Sequence, residues 1–108
     1  MSIAPTPLPP YYAVIFTNIR TSVTEGYEIT ANRMIELASQ QPGYLGHESV
    51  RNSEGVGITI SYWKSLDAIS NWKAHTEHQL AQRQGRDQWY HSYKTRICLV
   101  ERDYTFNS

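Results

Sequence analysis

Residues 44–63, which read YLGHESVRNSEGVGITISYW, decide the fold. Two extended runs are Tyr44–Arg51 and Val56–Trp63, and the second is rich in the β-branched and aromatic residues that favour strands. The four residues between them, Asn52-Ser53-Glu54-Gly55, belong to the types that dominate turns. The pattern therefore predicts a β-hairpin in the middle of the chain.

A helix is predicted on the N-terminal side of the hairpin. Ser22-Val23-Thr24-Glu25 has the spacing of a capping box, in which the serine and glutamate side chains bond free amides at a helix start. Apolar residues then recur at helical spacing from Tyr27 to Ala38. Because proline cannot continue a helix and glycine permits a turn, we expect the helix to end at Gln41-Pro42-Gly43.

A second helix is predicted on the C-terminal side of the hairpin. Ser65 is placed to cap this helix, and an apolar stripe that includes Trp72 follows. Helical character should continue, with a break, to about Gln84, where Gly85 offers a stop. We expect another short helical turn at residues 87–90.

Two further strands complete the pattern. Residues 11–19, YYAVIFTNI, are apolar on both faces, and residues 93–104 form a long extended run around Ile97 and Leu99. The order of elements is then β-α-β-β-α-β, the split βαβ arrangement of ferredoxin-like folds. The predicted fold class is α+β, with a four-stranded antiparallel sheet and both helices on one face.

The second face of that sheet would be bare in a monomer, although its strands are apolar there. A second copy packed sheet to sheet would bury this surface, so we expect a homodimer. Residues 11–108 are predicted to form a single domain. Residues 1–10 contain four prolines and are predicted to form an extended N-terminal tail.

Charge and composition exclude several classes of partner. Lys plus Arg and Asp plus Glu both number 10, and a protein that holds a phosphate backbone usually has a basic excess, so we expect no nucleic acid partner. The single cysteine, Cys98, excludes an internal disulfide and has the context of a buried hydrophobe. The chain has no signal-peptide pattern and no apolar run long enough to span a membrane, so we expect a cytoplasmic protein.

Several side chains are candidates for a small-molecule site. Trp72 could stack on a flat substrate or fill the core. His75 and His78 lie one helical turn apart and could relay protons near neutral pH, hold haem or belong to a solvated face. We expect no metal site, because His-Thr-Glu-His lacks the spacing of the zinc-protease motif and no cysteine joins it.

Charged residues on the strands leave two alternatives open. Glu48 and His47 are neighbours in an extended stretch, so one of them must face inward. An inward-facing Glu48 could act as a general base, or it could pair with Arg96 across the sheet. The arginines are scattered along the sequence and predict ion pairs, not an anion site. Those concerned here are five of the seven, at positions 20, 51, 86, 96 and 102.

With these elements in place, the chain resembles the antibiotic-biosynthesis-monooxygenase family of the dimeric α+β barrels. The resemblance covers residues 11 to about 105, and its most specific part is a strand ending in Trp-Lys-Ser, followed by Ala68 and then Trp72. The resembling stretches are Val14-Ile15-Phe16-Thr17, Gln41-Pro42-Gly43-Tyr44-Leu45-Gly46 and Ile60-Ser61-Tyr62-Trp63-Lys64-Ser65. The superfamily includes cofactor-free oxygenases of polyketide quinones, haem-degrading enzymes and isomerases.

The resemblance implies a pocket between the sheet and the helices, with contributions from Asn18 of the first strand and Trp72 of the second helix. Gln82, ten residues after Trp72, stands where the haem degraders place a histidine. Taking residues and resemblance together, we expect catalytic roles for Asn18, Trp72 and His78. The expected substrate-binding side chains are Tyr62, Trp63, His75 and Glu48.

The expected function is a cofactor-independent monooxygenase that acts on an aromatic or quinone-like small molecule. An electron-rich substrate, once deprotonated, can itself pass an electron to oxygen, so the protein needs only a dry pocket, a base and donors for an oxyanion. Two alternatives stay open. One is a haem-binding or haem-degrading enzyme that uses His75 or His78, and the other is a non-enzymatic dimeric stress or regulatory module filled by its own Tyr and Trp side chains.

Overall fold

A computed structural model of the chain describes residues 2–108, with the exception of the Thr76 side chain. It has four strands, three helices and a five-residue π-helical turn before the last strand. These are β1 (Tyr11–Arg20), α1 (Tyr27–Ser39), β2 (Tyr44–Arg51), β3 (Val56–Trp63), α2 (Leu66–Ala74), α3 (Thr76–Gln84), the π turn (Gly85–Trp89) and β4 (Tyr90–Val100). The strands form one antiparallel sheet in the order β2-β3-β1-β4, which confirms the predicted ferredoxin-like α+β fold.

The strand register divides the sheet into two faces. Phe16 of β1 stands opposite Thr59 of β3 and Thr95 of β4, and these side chains point towards the helices. Their neighbours along the strands, such as Ile15 and Ile60, point the other way because side chains alternate along a strand. We call this second side, away from the helices, the outer face.

The hydrophobic core lies where β3 ends and α2 begins. Trp63 is completely buried and packs with Ala38 of α1 and with Ala68 and Ile69 of α2. Its indole Nε1 donates a hydrogen bond of 2.9 Å to the Oγ of Ser61, so the buried N–H is satisfied. The large aromatic area removed from water here fixes the helices onto the sheet.

A glycine lets the chain pass closely from α1 into β2. The backbone φ of Gly43 is +87°, in the left-handed region that side chains disfavour. A Cβ at this position would lie 2.6 Å from the Cβ of Ala68, which is too close for two carbon atoms. The end of α1 near Gln41-Pro42-Gly43 is therefore confirmed, and its glycine serves both the turn and the contact with α2.

The predicted capping box at residues 22–25 is wrong. Helix α1 begins at Tyr27, and its N-cap is Gly26, whose backbone is left-handed and which makes no side-chain cap hydrogen bond. The preceding segment is a loop in which the Val23 N–H donates to the Oγ1 of Thr21 at 3.2 Å. That local bond competes with helix formation, as hydroxyl side chains commonly do.

The second helical region begins and ends as predicted. The Oγ of Ser65 accepts a hydrogen bond from the Ala68 N–H at 3.1 Å, and the helix breaks at His75, whose backbone is extended. Helix α3 ends at Gln84, and Gly85 opens the π turn with helical backbone angles, close to the short helical turn predicted at residues 87–90. A Cβ there would lie 2.9 Å from the ring of Tyr90, so the glycine provides room for that ring.

The last strand is shifted relative to the prediction of residues 93–104. It begins at Tyr90 and ends at Val100, which pairs with Tyr11. The residue before Tyr11 is Pro10, which has no N–H to offer a neighbouring strand, so the pairing ends there.

The N-terminal tail packs against the outer face of its own chain. The Ala4 N–H donates to Glu48 Oε2 at 2.9 Å, and the Thr6 hydroxyl donates to the Tyr11 hydroxyl at 3.0 Å. Apolar side chains nearer the β2–β3 turn stay exposed. These are Ile19, Val50, Val56 and Ile58.

Within residues 2–108, no helix is both long enough and apolar enough to cross a bilayer.

Candidate functional site

A cavity of about 600 Å³ lies between the sheet and the helices, next to the Trp63 core. Val14 and Phe16 of β1 form the middle of its floor. Helix α1 contributes Met34 to its roof, and the α2–α3 region contributes Ile69. The volume falls within the usual range for small-molecule sites, and such sites are typically concave and mostly apolar.

The half of the floor formed by β2 and β3 is polar. His47 stands opposite Ser61, and Ser49 stands opposite Thr59, so four polar side chains line the cavity together. The Ser49 and Thr59 hydroxyls lie 2.8 Å apart. Ser61 accepts a hydrogen bond from Trp63 Nε1, so its own hydroxyl hydrogen is free to donate to a ligand oxygen.

The wall beside the core is a stack of aromatic rings. The imidazole of His78 lies parallel to the indole of Trp72, with 4.4 Å between ring centroids and 8° between planes. Trp72 also lies 6.4 Å from Trp63 at an angle of 23°. Both Trp72 and His78 line the cavity, whereas Trp63 lies behind them in the core.

His78 is held in one tautomer by the backbone. Its Nδ1 lies 3.0 Å from the carbonyl oxygen of Trp72, and a carbonyl can only accept, so Nδ1 carries the hydrogen. Nε2 therefore keeps its lone pair when the ring is neutral. Burial lowers the pKa of His78, and the nearby Lys73 and His75 lower it further, so the neutral ring is favoured at pH 7.

His75 occupies a different position from His78. It lies at the break between α2 and α3 and does not line the cavity. The centroid of its ring lies 5.5 Å from the centroid of the Trp72 indole. Its Nδ1 is buried and makes no hydrogen bond within the described part of the chain. Among residues 2–108, no three His, Cys, Asp or Glu side chains come together as a metal site.

A second histidine on the floor is bonded to a tyrosine. The hydroxyl of Tyr44 lies 2.6 Å from Nδ1 of His47, and both residues line the cavity. Burial raises the pKa of Tyr44, so its hydroxyl stays protonated at neutral pH.

Asn18 points towards the helices but does not line the cavity. It is only 2% exposed, and its Oδ1 accepts a 2.7 Å hydrogen bond from Nη2 of Arg51. The Arg51 guanidinium lies over Gly57, where a Cβ would be 2.6 Å from the guanidinium carbon. The structure therefore makes Asn18 a support for Arg51.

Two predicted substrate contacts, Glu48 and Tyr62, lie on the outer face, away from the cavity. Glu48 accepts hydrogen bonds from the Tyr62 hydroxyl at 2.7 Å and from Ala4 N–H at 2.9 Å, and these bonds lower the pKa of its carboxyl. Burial and the bond to Glu48 raise the pKa of Tyr62. Of the two alternatives for Glu48, the pair with Arg96 does not form, because β2 and β4 are the two edges of the sheet.

Sequence reasoning missed Ser61 and left the choice between His47 and Glu48 open. Once Trp63 is assigned to the helix side, strand alternation places Ser61 on the same side. The pairing of His47 with Ser61 then follows from the hairpin register. The signal was therefore present in the hairpin, but it required the register of β2 against β3.

Solved structures share this architecture. SnoaB, a cofactor-independent oxygenase from Streptomyces nogalater, aligns with a TM-score of 0.70 at 15% identity, over 93% of this chain and 100% of that one. Rv0793 from Mycobacterium tuberculosis aligns with a TM-score of 0.76 at 10% identity, over 88% and 99%. At these identities the likeness shows the fold, a ferredoxin-like α+β domain.

Sequence comparisons identify the family. Residues 10–84, more than half of the chain, match the family model described as antibiotic biosynthesis monooxygenase. The chain is also 53% identical over 104 residues to the uncharacterized protein YqjZ of Bacillus subtilis, a match that covers 96% of this chain and 91% of that protein. The chain belongs to the antibiotic biosynthesis monooxygenase family.

Proposed function

We propose that this protein is a monooxygenase that acts on an aromatic or quinol-type small molecule in the cavity, without a metal or flavin. The observation that carries the proposal is His78, whose imidazole lines a 600 Å³ cavity and is bonded through Nδ1 to the Trp72 carbonyl, which leaves Nε2 as its basic nitrogen. Family membership and the shared fold with a cofactor-independent oxygenase support the same class of reaction.

The shape of the cavity favours a flat substrate. Its floor and roof are a sheet and a layer of helices, and apolar side chains such as Phe16 and Met34 face each other across it. One face of the Trp72 indole is already covered by His78. A flat substrate would therefore contact the His78 imidazole or the exposed edge of Trp72, which puts its reactive atoms next to Nε2.

The proposed reaction begins with removal of a proton by Nε2 of His78, from a ring hydroxyl or from a methylene group activated by it. The resulting carbanion passes one electron to O₂, and the two radicals combine to give a peroxide anion. The protonated His78 returns the proton to form the hydroperoxide, and loss of water leaves a carbonyl. In sum, CH₂ and O₂ become C=O and H₂O, so the substrate supplies all the electrons.

The polar half of the floor fits the charge that develops during this sequence. Deprotonation leaves negative charge on a substrate oxygen, and the free hydroxyl hydrogen of Ser61 is available to bond it. His47 lies next to Ser61 in the register and lines the cavity as well. We propose that these two residues orient the oxygenated edge of the substrate, and that Asn18 acts only indirectly as a positioning residue for Arg51.

Oxygen uptake with a fused-ring quinol, measured in the presence of a chelator, tests the proposed function. The wild-type protein should consume oxygen faster than the quinol oxidises on its own. His78→Gln should lower kcat by about 10²–10⁴-fold, the usual contribution of a positioned base. His91→Gln is the matched control, because His91 is exposed on β4 and does not line the cavity. Equal rates for wild type and His78→Gln would contradict the proposed role.

One observation also favours haem as a ligand. Histidines that bind metals usually donate their second ring N–H to a backbone carbonyl or carboxylate, as Nδ1 of His78 does to Trp72. Haem titration distinguishes the two functions. A Soret band that shifts when haem is added to the wild-type protein, with no such shift in His78→Gln, would support haem binding. A haem spectrum that is unchanged by the wild-type protein would exclude it.

The non-enzymatic alternative required an interior filled by the protein's own aromatic side chains. The space beside Trp72 and His78 argues against it, because a purely structural module gains nothing from a cavity of this size.

We also propose that the protein works as a homodimer through the outer face. The exposed side chains of Val50, Val56 and Ile58 form an apolar area there, next to the part covered by the N-terminal tail. Apolar patches of this kind on small domains usually mark interaction sites. A symmetric pairing would bury the same patch on both copies.

A further inference from the structure

The cavity has a second end, defined by Tyr27. Trp63 stands opposite Tyr12 near the start of β1, whereas Tyr90 stands opposite Arg20 at the end of that strand. These two pairs therefore lie at opposite ends of β1. Tyr27 and Tyr90 line the cavity at this far end. We call it the Tyr27 end.

Two guanidinium groups converge on the Tyr27 side chain. The Cζ of Arg20 lies 3.3 Å from the centroid of the Tyr27 ring, which is a close cation–π contact. From another direction, Nη2 of Arg51 donates a hydrogen bond of 3.1 Å to the Tyr27 hydroxyl. Both contacts draw electron density away from the phenol, which makes its O–H a stronger donor.

Neither guanidinium is neutralised by a carboxylate. Arg20 donates to the backbone carbonyls of Trp89 and Val23, and Arg51 donates to the carbonyl of Gly55 and to Asn18. Within residues 2–108, the ion pairs shorter than 4 Å both belong to Arg33, on the outside of α1. The prediction that Arg20 and Arg51 form ion pairs is therefore wrong, and their positive charge acts on the Tyr27 end.

The hydroxyl hydrogen of Tyr27 is left for a ligand. The Tyr27 oxygen accepts hydrogen bonds from Arg51 and, at 3.4 Å, from the Tyr90 hydroxyl. Burial and the bond to Tyr27 raise the pKa of Tyr90, so Tyr90 remains a donor. Because the Tyr27 oxygen already accepts from two donors, its own hydroxyl hydrogen is not needed for either bond. Tyr27 lines the cavity, so a ligand there is the partner we assign to this hydrogen.

The charges that line the cavity have one sign. Lys73 and Arg86 are exposed residues that contribute to its lining, and Nη1 of Arg86 lies 3.5 Å from the Tyr93 hydroxyl beside the Tyr27 end. Among the described side chains that line the cavity there is no carboxylate. A cavity with cations and without acids favours a negatively charged ligand over a neutral or cationic one.

We propose that the Tyr27 end is a subsite for an anionic oxygen of the ligand, with the Tyr27 hydroxyl and the Arg86 guanidinium as its donors. The ligand class is then a fused-ring aromatic that carries a carboxylate or an acidic phenol at the end remote from His78. This inference rests on the proposed function for the aromatic nature of the ligand. The anionic group follows from Tyr27 and the arginines around it.

The test is equilibrium binding of two matched probes that cannot be turned over, anthraquinone-2-carboxylate and anthraquinone-2-carboxamide, measured by calorimetry or tryptophan quenching without oxygen. The carboxylate should bind about tenfold more tightly than the uncharged carboxamide, because its bonds to Tyr27 and Arg86 are charge-assisted. The preference should shrink as salt is added. Equal affinities, or no binding of either probe, would overturn the proposal.

Variants assign the preference to the subsite. Tyr27→Phe keeps the ring under Arg20 but removes the hydroxyl, and Arg86→Gln removes the charge, so each should reduce the carboxylate preference by about threefold or more. Arg83→Gln is the control, because it removes the same charge from an exposed position of α3 that does not line the cavity. A preference unchanged in Tyr27→Phe and Arg86→Gln, with melting temperatures like the wild type, would overturn the assignment. Because this readout needs no turnover, it can succeed even if oxygen uptake fails.

Discussion

The chemistry of the site depends on how a few polar atoms are paired. The Trp72 carbonyl determines which nitrogen of His78 keeps its lone pair, and the Trp63 indole determines which way the Ser61 hydroxyl can donate. The sequence suggested His78 as a candidate from residue type and helical spacing. It could not predict the tautomer, because the carbonyl that fixes it belongs to Trp72, near the C-terminal end of α2, and the contact crosses the helix break at His75.

The pH dependence of the reaction should report the state of His78. Burial lowers its pKa, so the ring loses its proton below the ordinary histidine value of about 6.5 and the acid limb of kcat should lie below that pH. The limb should disappear in His78→Gln. Steady-state rates between about pH 5 and pH 8 give this profile, and an acid limb that persists unchanged in the variant would assign it to another group.

The same shift has a consequence for stability. The unfolded chain binds the His78 proton more tightly than the folded chain does. The contribution of the neutral His78 ring to the free energy of unfolding is therefore fully present above about pH 6.5, and it is lost as the pH falls towards the lower pKa of His78 in the folded state. Urea denaturation should show a larger acid-induced loss of unfolding free energy in the wild type than in His78→Gln. Parallel losses in both proteins would count against a buried neutral ring.

Ser61 should matter for stability as well as for binding. In Ser61→Ala the indole N–H of the fully buried Trp63 loses its acceptor, which should cost about 1–3 kcal/mol of unfolding free energy. Ser49→Ala is the matched control, because Ser49 is exposed and bonds only another hydroxyl. Urea denaturation measures both, and equal losses in the two variants would show that Trp63 finds another partner.

At the level of helices and strands, the sequence predicted what local patterns control. The hairpin bounds, the Ser65 cap and the element order are confirmed, because turn residues, capping and alternation act over a few positions. The capping box was wrong for a local reason, because the Thr21 hydroxyl accepts a hydrogen bond from the Val23 N–H. The bounds of β4 were wrong because a distant contact decides them, since the strand ends where its partner strand reaches Pro10. That partner is not visible in the local sequence.

The link between α1 and β2 provides a test of this view. Gly43 and Gly26 both have positive φ, but only Gly43 has another Cβ within 2.6 Å of the position a side chain would take. Gly26→Ala should therefore lose about 1–2 kcal/mol for backbone strain. Gly43→Ala should lose about 1–3 kcal/mol more for the clash with Ala68. Equal losses of unfolding free energy for Gly26→Ala and Gly43→Ala in chemical denaturation would mean that Ala68 of α2 shifts at little cost to make room for the new methyl group.

For the molecule as a whole, the two faces of the sheet have different tasks. The face towards the helices carries the core at one end and the cavity beyond it, whereas the outer face carries the tail and an exposed apolar area. The apolar strands on both faces made this division predictable before the structure was known. That the tail of the same chain would cover part of the outer face was not predictable, because its Ala4 contact uses a backbone N–H and carries no sequence signature.

The dimer proposal can be tested with one substitution on each side of the molecule. Ile58→Glu places a charge on the outer face and should convert a dimer into a monomer, because burying an unpaired carboxylate is costly. Ile29→Glu, on the exposed side of α1, should leave the protein with the mass of a dimer. Light scattering after gel filtration measures both. A wild-type protein with the mass of a single chain would contradict the proposal.

We propose that the protein inserts an oxygen atom from O₂ into an aromatic substrate by using His78 as a base. The most direct measurement is turnover of a fused-ring quinol under 18O₂ with a chelator present, followed by rapid quenching and mass spectrometry of the product. We expect one heavy oxygen atom in each product molecule with the wild-type protein, and a strongly reduced yield with His78→Gln. Product whose new oxygen comes from water, or no product above the reaction without protein, would contradict this mechanism.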